Sequence, residues 1–108
     1  MKISEIIKDT DWKVYGEALE QEVEGVFVSD LLSWVIGHGE ENQAWVTMQT
    51  HLNVLAVAAL KEFSCIIVTH DAPISEEVQK EAIEKNIMML QTSLTSYEAC
   101  KYLVSKGL

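Results

Sequence analysis

Arginine is absent from this 108-residue sequence, and all eight basic residues are lysines. Seventeen Asp and Glu residues give the chain a formal net charge of -9. Arginine is the usual residue for bidentate contacts to phosphates, carboxylates and base edges. Because the chain is acidic and lacks this side chain, we predict that it binds neither nucleic acid nor an anionic membrane surface.

Long apolar runs and catalytic motifs are also missing. The longest apolar run, Leu52–Leu60, is interrupted by Asn53 and is shorter than the roughly 18 residues of a membrane span. The N-terminus carries acidic residues where a signal peptide would be apolar, so we predict a cytoplasmic protein. Neither a P-loop, a G-x-G-x-x-G pattern nor a G-x-S-x-G pattern is present. We therefore predict that the chain is not an enzyme.

Cysteine is scarce. Cys65 lies in an apolar segment and Cys100 on the apolar side of a helical pattern, where a thiol behaves as a small hydrophobe. We predict that both thiols are free in a reducing compartment. The length predicts one domain over residues 1–108, which buries roughly 65% of its unfolded surface and supports one core.

Strand and helix patterns alternate along the chain. Runs rich in β-branched residues predict strands, and polar caps before periodic apolar residues predict helices. This alternation predicts an α/β fold with a mostly parallel sheet and helices on both faces. The predicted strands are Trp12–Tyr15, Val23–Ser29, Ala44–Met48, Cys65–Val68 and Ile87–Leu90. The predicted helices are Ile3–Lys8, Leu31–Ile36 (a turn or short helix), Leu52–Glu62, Ser75–Asn86 and a helix after Thr95. The predicted caps are Ser4, Ser29 or Asp30, Thr50, Ser75 and Thr95.

Polar residues follow four of the predicted strands. The carboxyl ends of parallel strands meet at one edge of the sheet, here called the rim, which is where open α/β folds bind ligands. Turns and helix caps require many such residues, but capping explains Gln49, His51 and Asn53 less well. The predicted ligand-binding residues are Ser29, Asp30, Ser33, Gln49, Thr50, His51, Asn53, Thr69, His70 and Thr92.

The same rim contains side chains of the types that bind metals. His51, His70, Asp71 and Asp30 are suitable ligands, but no close spacing such as H-x-x-x-H brings them together. We predict no metal site and name no cofactor.

The helix predicted over Leu52–Glu62 is apolar on nearly all sides. A helix without a polar face is covered on both sides. Either a partner subunit covers one side, which predicts a homodimer, or the helix is central within a single chain.

Two segments carry a resemblance to a known family. VEGVFVSDLLSWVIG (23–37) and AWVTMQTHLNVLAVAALKEFSCIIVT (44–69), followed by a distal strand and helix, resemble the DRTGG domain family. DRTGG domains are similar in fold to the N-terminal domain of HPr kinase/phosphorylase, and they occur beside CBS domains and within long phosphotransacetylases. The resemblance implies that fold and a small regulatory or ligand-binding role. Stand-alone copies are often described as serine-kinase-like, but this chain has no P-loop for kinase chemistry.

Three functional hypotheses follow. The first is a regulatory module that binds a small metabolite or nucleotide at the rim and acts as an oligomer. The second is a protein-interaction or oligomerisation module without a ligand, based on the apolar Leu52–Leu60 segment. The third is a small enzyme that uses His51 or His70 as a base.

Overall fold

The computed structural model describes residues 1–108, with five helices alternating with five strands for most of the chain. Strand and helix types agree with the prediction throughout, and their bounds differ by a few residues. The helices are α1 (Ile3–Ile7), α2 (Leu32–His38), α3 (Asn53–Lys61), α4 (Glu76–Glu84) and α5 (Ser96–Ser105). The strands are β1 (Lys13–Tyr15), β2 (Gly25–Val28), β3 (Gln43–Thr47), β4 (Cys65–Val68) and β5 (Met89–Gln91).

The five strands form one sheet in the order β1-β5-β4-β3-β2. The four strands from β2 to β5 are parallel, and each lies beside its predecessor in the chain. Only β1 is antiparallel, with Lys13 opposite Gln91 at one edge of the sheet. The predicted α/β class with a mostly parallel sheet is therefore confirmed.

Helices cover both faces of the sheet, as predicted. The parallel strands advance in one direction, and right-handed crossovers then place α2, α3 and α4 on the same face. Trp45 of β3 packs in the core beneath these three helices, whereas its neighbours Ala44 and Val46 pack towards α1 and α5. All of Cys65–Val68 is buried, as expected for a parallel strand that is covered on both faces.

Two of the predicted helix caps are confirmed and three are wrong. Helix α2 begins after Leu31 and has no side-chain cap from Ser29 or Asp30. Ser75 Oγ accepts a hydrogen bond from the N–H of Val78, and Thr95 forms a capping box with Glu98. Ser4 instead lies inside α1, which begins after Lys2. Thr50 precedes an extra turn of chain, so that α3 begins after Leu52 and receives no cap from the threonine.

Helix α3 is only partly buried, and its exposed side is mostly apolar. Val54, Leu55, Val57 and Ala58 are buried, but Leu60 remains 66% exposed. The neighbouring α2 also has exposed apolar side chains. The structure therefore leaves an apolar surface uncovered on this side of the sheet.

Both cysteines are free, as predicted. Complete burial raises the pKa of the Cys65 thiol to about 12, and partial burial raises the pKa of Cys100. No helix is long and apolar enough to cross a membrane.

Candidate functional site

The rim has two halves that differ in what their polar side chains contact. The half after β2 and β3, here called the β2–β3 half, contains Ser29, Asp30, Gln49, Thr50 and His51. The half after β4 and β5, the β4–β5 half, contains Thr69, His70 and Thr92. Ser33 and Asn53 are exposed on α2 and α3.

Asp30 links the ends of β2 and β3. Its Oδ1 atom accepts hydrogen bonds from the Thr47 hydroxyl and from the N–H of Met48, both at 2.8 Å. The Gln49 side chain donates to the Asp30 carbonyl at 3.3 Å. Charge-assisted bonds of this kind fix a loop firmly. Asp30 therefore has a structural function in the folded chain.

Ser29 is part of the same connection. Its carbonyl accepts a bond from the indole N–H of Trp45 at 2.9 Å, and its hydroxyl accepts one from the N–H of Leu31 at 3.1 Å. The buried Trp45 thus holds the end of β2 in place through its one polar atom.

His51 supplies the hydrogen bond that Thr50 was predicted to make. Its Nδ1 atom accepts from the N–H of Asn53, the first residue of α3, at 3.1 Å. When Nδ1 is an acceptor, the neutral imidazole carries its proton on Nε2. That N–H group has no protein partner and is available as a donor to a ligand.

An open cleft of about 450 Å³ lies beside His51, between the β3–α3 loop and the first turn of α4. This rim cleft is bounded on one side by Gln49, Thr50 and His51 and on the other by Ser75 and Glu77. The side chains lining it are Met48, Gln49, Thr50, His51, Leu52, Ser75, Glu77 and Val78. Three of the ten predicted residues line the cleft.

The sequence does not indicate that the other lining residues belong to a ligand site. The sequence indicates Ser75 only as a helix cap, and Glu77 is not among the predicted site residues. The adjacency of β3 and β4 was the available signal, because it brings the loop after β3 close to the helix that follows β4.

In the β4–β5 half, the side chains hold α5. The Thr69 hydroxyl bonds to the Ser96 hydroxyl at 2.8 Å, and His70 Nε2 accepts from the N–H of Ser96 at 3.1 Å. The Thr92 hydroxyl accepts from the N–H of Leu94 at 3.2 Å. Thr69 and Thr92 are buried and do not line the rim cleft. We therefore leave them out of the proposed ligand site.

The backbone in this half adopts an uncommon conformation. His70 and Asp71 both have positive φ, 60° and 52°, in the left-handed region that favours glycine. Their N–H groups donate to the carbonyls of Leu94 and Thr92. The loop after β4 is thus bonded to the loop after β5, which closes this half of the rim.

Charges at the rim do not form a metal centre. The structure contains no group of three or more His, Cys, Asp or Glu side chains that could hold a metal ion. Near the β4–β5 half, the carboxyl group of Glu98 has a shifted pKa. Hydrogen bonds from Thr95 lower this pKa, and the nearby His70 contributes in the same direction.

The fold matches that of a solved structure. It is similar to the CBS and DRTGG domains from the regulatory region of a Clostridium perfringens pyrophosphatase, whose crystal structure contains the activator diadenosine tetraphosphate. The TM-score is 0.73 at 16% sequence identity, over 95% of this chain and 46% of that chain. This chain thus spans less than half of the other.

The sequence was also compared with curated proteins and with protein families. No curated protein matches it. The family model described as "DRTGG domain" matches residues 6–105, which is nearly the whole chain. The chain therefore belongs to the DRTGG domain family.

Proposed function

We propose that this chain is a regulatory module that binds a small metabolite or nucleotide in the rim cleft. The observation that carries the proposal is an open cleft at the carboxyl ends of parallel strands, with an unused imidazole N–H at its edge. The similar Clostridium perfringens structure, a regulatory region with a nucleotide activator, supports a role of this class.

The lining has the mixed character of small-molecule sites. Met48, Leu52 and Val78 contribute apolar surface, and a few polar groups would fix the orientation of a ligand. The donor is His51 Nε2–H. The acceptor is the Gln49 amide oxygen, because its nitrogen already bonds to Asp30.

The charge of the cleft favours the uncharged part of such a ligand. No lysine lines the cleft, and Glu77 places a carboxylate there. A phosphate group in contact with Glu77 would be repelled, since like charges disfavour each other at close range. We therefore propose that the cleft binds a base, a sugar or another neutral group, and that any phosphates extend into solvent.

A regulatory role fits the protonation of His51 better than a catalytic one. A general base needs a free nitrogen lone pair within reach of a substrate. In His51 the lone pair on Nδ1 accepts the N–H of Asn53, and Nε2 carries the proton. His51 is therefore arranged to donate a hydrogen bond and not to remove a proton.

A thermal-shift screen tests the proposal. The panel contains nucleosides, nucleotides with and without Mg²⁺, amino acids and sugar phosphates. A ligand that binds the folded state raises the melting temperature by mass action. At a ligand concentration of about 100 times its Kd, the free energy of unfolding rises by about 2.7 kcal/mol. We expect a nucleoside or another neutral compound to raise it more than the matching triphosphate does.

Matched variants locate the binding. His51→Asn removes the imidazole donor but keeps a side-chain acceptor for the N–H of Asn53, and it should abolish the thermal shift. Ser33→Ala alters an exposed predicted residue outside the cleft and should leave the shift unchanged. A panel without any effective compound, or a shift that survives His51→Asn, would contradict the proposal.

A second candidate function is a protein-interaction or oligomerisation module. It is favoured by the incomplete burial of α3, where Leu60 remains exposed. A homodimer and a cytoplasmic location, both predicted from the sequence, stay part of the proposal. Binding of a ligand and self-association are compatible within one regulatory module.

A further inference from the structure

Carboxylates are unevenly distributed over the helices. Helix α4 carries four glutamates within nine residues, whereas α2 and α3 contain no acidic residue. The ionisable side chains on α2 and α3 are His38 and Lys61. A chain with a formal charge of -9 repels a second copy over most of its surface. Helices α2 and α3 contribute no carboxylate to that repulsion.

The same two helices carry exposed apolar side chains. Leu31, Trp34 and Ile36 on or beside α2 are 62%, 53% and 42% exposed, and Leu60 on α3 is 66% exposed. We call these four residues with the outer surfaces of α2 and α3 the α2–α3 face. The two helices contact each other on one side of the sheet. Monomeric proteins rarely leave clustered large apolar side chains open to water.

Trp34 is held in position before any partner arrives. Its ring stacks on that of His38 with centroids 3.8 Å apart and planes 18° apart. His38 Nδ1 lies 3.1 Å from the Trp34 carbonyl, which fixes the imidazole on the same helix. A side chain that is already ordered loses less entropy on binding. Tryptophan is also the residue type most enriched among interface hot spots.

The charge pattern identifies a second copy of the chain as the occupant. In a twofold dimer the same patch lies on both sides, so the patch must be compatible with itself in charge. Helices α2 and α3 meet that condition because neither carries a carboxylate within its length, and the glutamate-rich surface of α4 does not. A standard interface needs roughly 800 Å² per partner, and the chain has 5951 Å² of accessible surface in all.

We propose that two copies of this chain associate through the α2–α3 face, with Trp34 at the centre of the contact. The proposal goes beyond the ligand-binding function and does not depend on it, because the residues of the face do not line the rim cleft.

Sedimentation equilibrium tests the inference directly. We expect the wild-type chain to have twice the 12.1 kDa mass of one chain, and Trp34→Glu and Leu60→Glu to have the mass of a single chain. Tyr97→Glu is the matched control. It adds the same charge at a side chain that is 77% exposed on α5, across the sheet, and the dimer should persist. Circular dichroism checks that each variant is folded.

Three results would overturn the proposal. A wild-type monomer at about 100 μM, well above the micromolar Kd of a modest interface, would mean that another protein or another segment of a longer chain covers the face. A dimer that persists in both Trp34→Glu and Leu60→Glu would place the contact elsewhere. Equal dissociation by Tyr97→Glu would show that added charge alone separates the subunits.

Tryptophan fluorescence supplies a local measurement. Trp12 and Trp45 are buried within the chain, so Trp34 is the exposed one of the three tryptophans. On dilution through the dissociation range, emission should shift to longer wavelength as Trp34 enters water. The Trp34→Phe variant, which keeps an aromatic anchor, should show no such shift although it still dimerises; a shift that remains in this variant would contradict the assignment to Trp34.

Discussion

At the ends of β2 and β3, the polar side chains bond to the strands and leave a cleft beside them. At the ends of β4 and β5, they bond to the loop after β5 and to the start of α5, and they do not line that cleft. The Asp30 carboxylate accepts two hydrogen bonds, one from β3 and one from the loop that follows it. Thr69 and His70 bond to Ser96 at the start of α5. The two halves therefore use similar residue types for different contacts.

The difference follows from where the next helix lies. Helix α3 begins after an extra turn of chain, so His51 caps it and the loop remains open towards α4. Helix α5 crosses to the opposite face, and the loops after β4 and β5 bond to each other across that change of direction. A polar side chain after a strand thus becomes available to a ligand only where it keeps a polar atom that the neighbouring helix does not use, as His51 does at Nε2.

The largest expected effect comes from breaking the link in the β2–β3 half. Asp30→Ala removes two charge-assisted hydrogen bonds and leaves the buried Thr47 hydroxyl without its acceptor. We expect the free energy of unfolding, measured in urea, to fall by about 2–3 kcal/mol. The control Asp11→Ala, at an exposed position, should change it by less than about 0.5 kcal/mol. Equal effects would show that the Asp30 carboxylate is not structural.

A smaller effect is expected from the left-handed residues of the β4–β5 half. Asp71→Gly relieves an unfavourable φ and should raise the free energy of unfolding by about 0.5–1 kcal/mol. His70→Gly relieves an unfavourable φ in the same way, but it loses the hydrogen bond that Nε2 accepts from the N–H of Ser96. That bond is worth about 1 kcal/mol. Its net effect should be near zero. If both variants stabilise equally, the His70 side chain does not hold α5.

The smallest effect concerns acid sensitivity in the same half. Hydrogen bonds from Thr95 lower the pKa of Glu98 in the folded chain below its ordinary value of 4.5. A lowered folded pKa contributes stability above the unfolded pKa, and this contribution disappears as the pH falls through the folded pKa. The melting temperature of Glu98→Gln should therefore lie slightly below that of wild type at pH 7. The two should converge once the pH falls below the folded pKa of Glu98; a difference that stays constant down to that pH would contradict the role of ionised Glu98.

Local patterns in the sequence predicted most of the fold. The β-branched run Cys65–Val68 and the caps at Ser75 and Thr95 each act within a few residues, and each was confirmed. Parallel pairing of β2 to β5 followed from their alternation with helices.

The site was less accessible to prediction because its contacts join distant residues. Asp30 meets Thr47 across 17 positions, and that contact depends on the register of β2 against β3. Histidine is not an ordinary cap, so the sequence indicated Thr50 at the start of α3 and gave no sign that His51 would bond to Asn53. The exposure of Leu60 likewise depends on how α3 is rotated against the sheet.

The pairing of β1 with β5 determines when the sheet can be completed during synthesis of the chain. The Tyr15 hydroxyl bonds to Gln91, 76 residues later, and the Tyr102 hydroxyl bonds to the Ile6 carbonyl, 96 residues earlier. At about 5–20 residues per second, a ribosome needs roughly 4–15 s to make the 76 residues from Tyr15 to Gln91. The strands β2, β3 and β4 can pair as they emerge, but β1 has no strand partner until β5 appears. Strand β1 is therefore made before the other strands and joins the sheet last.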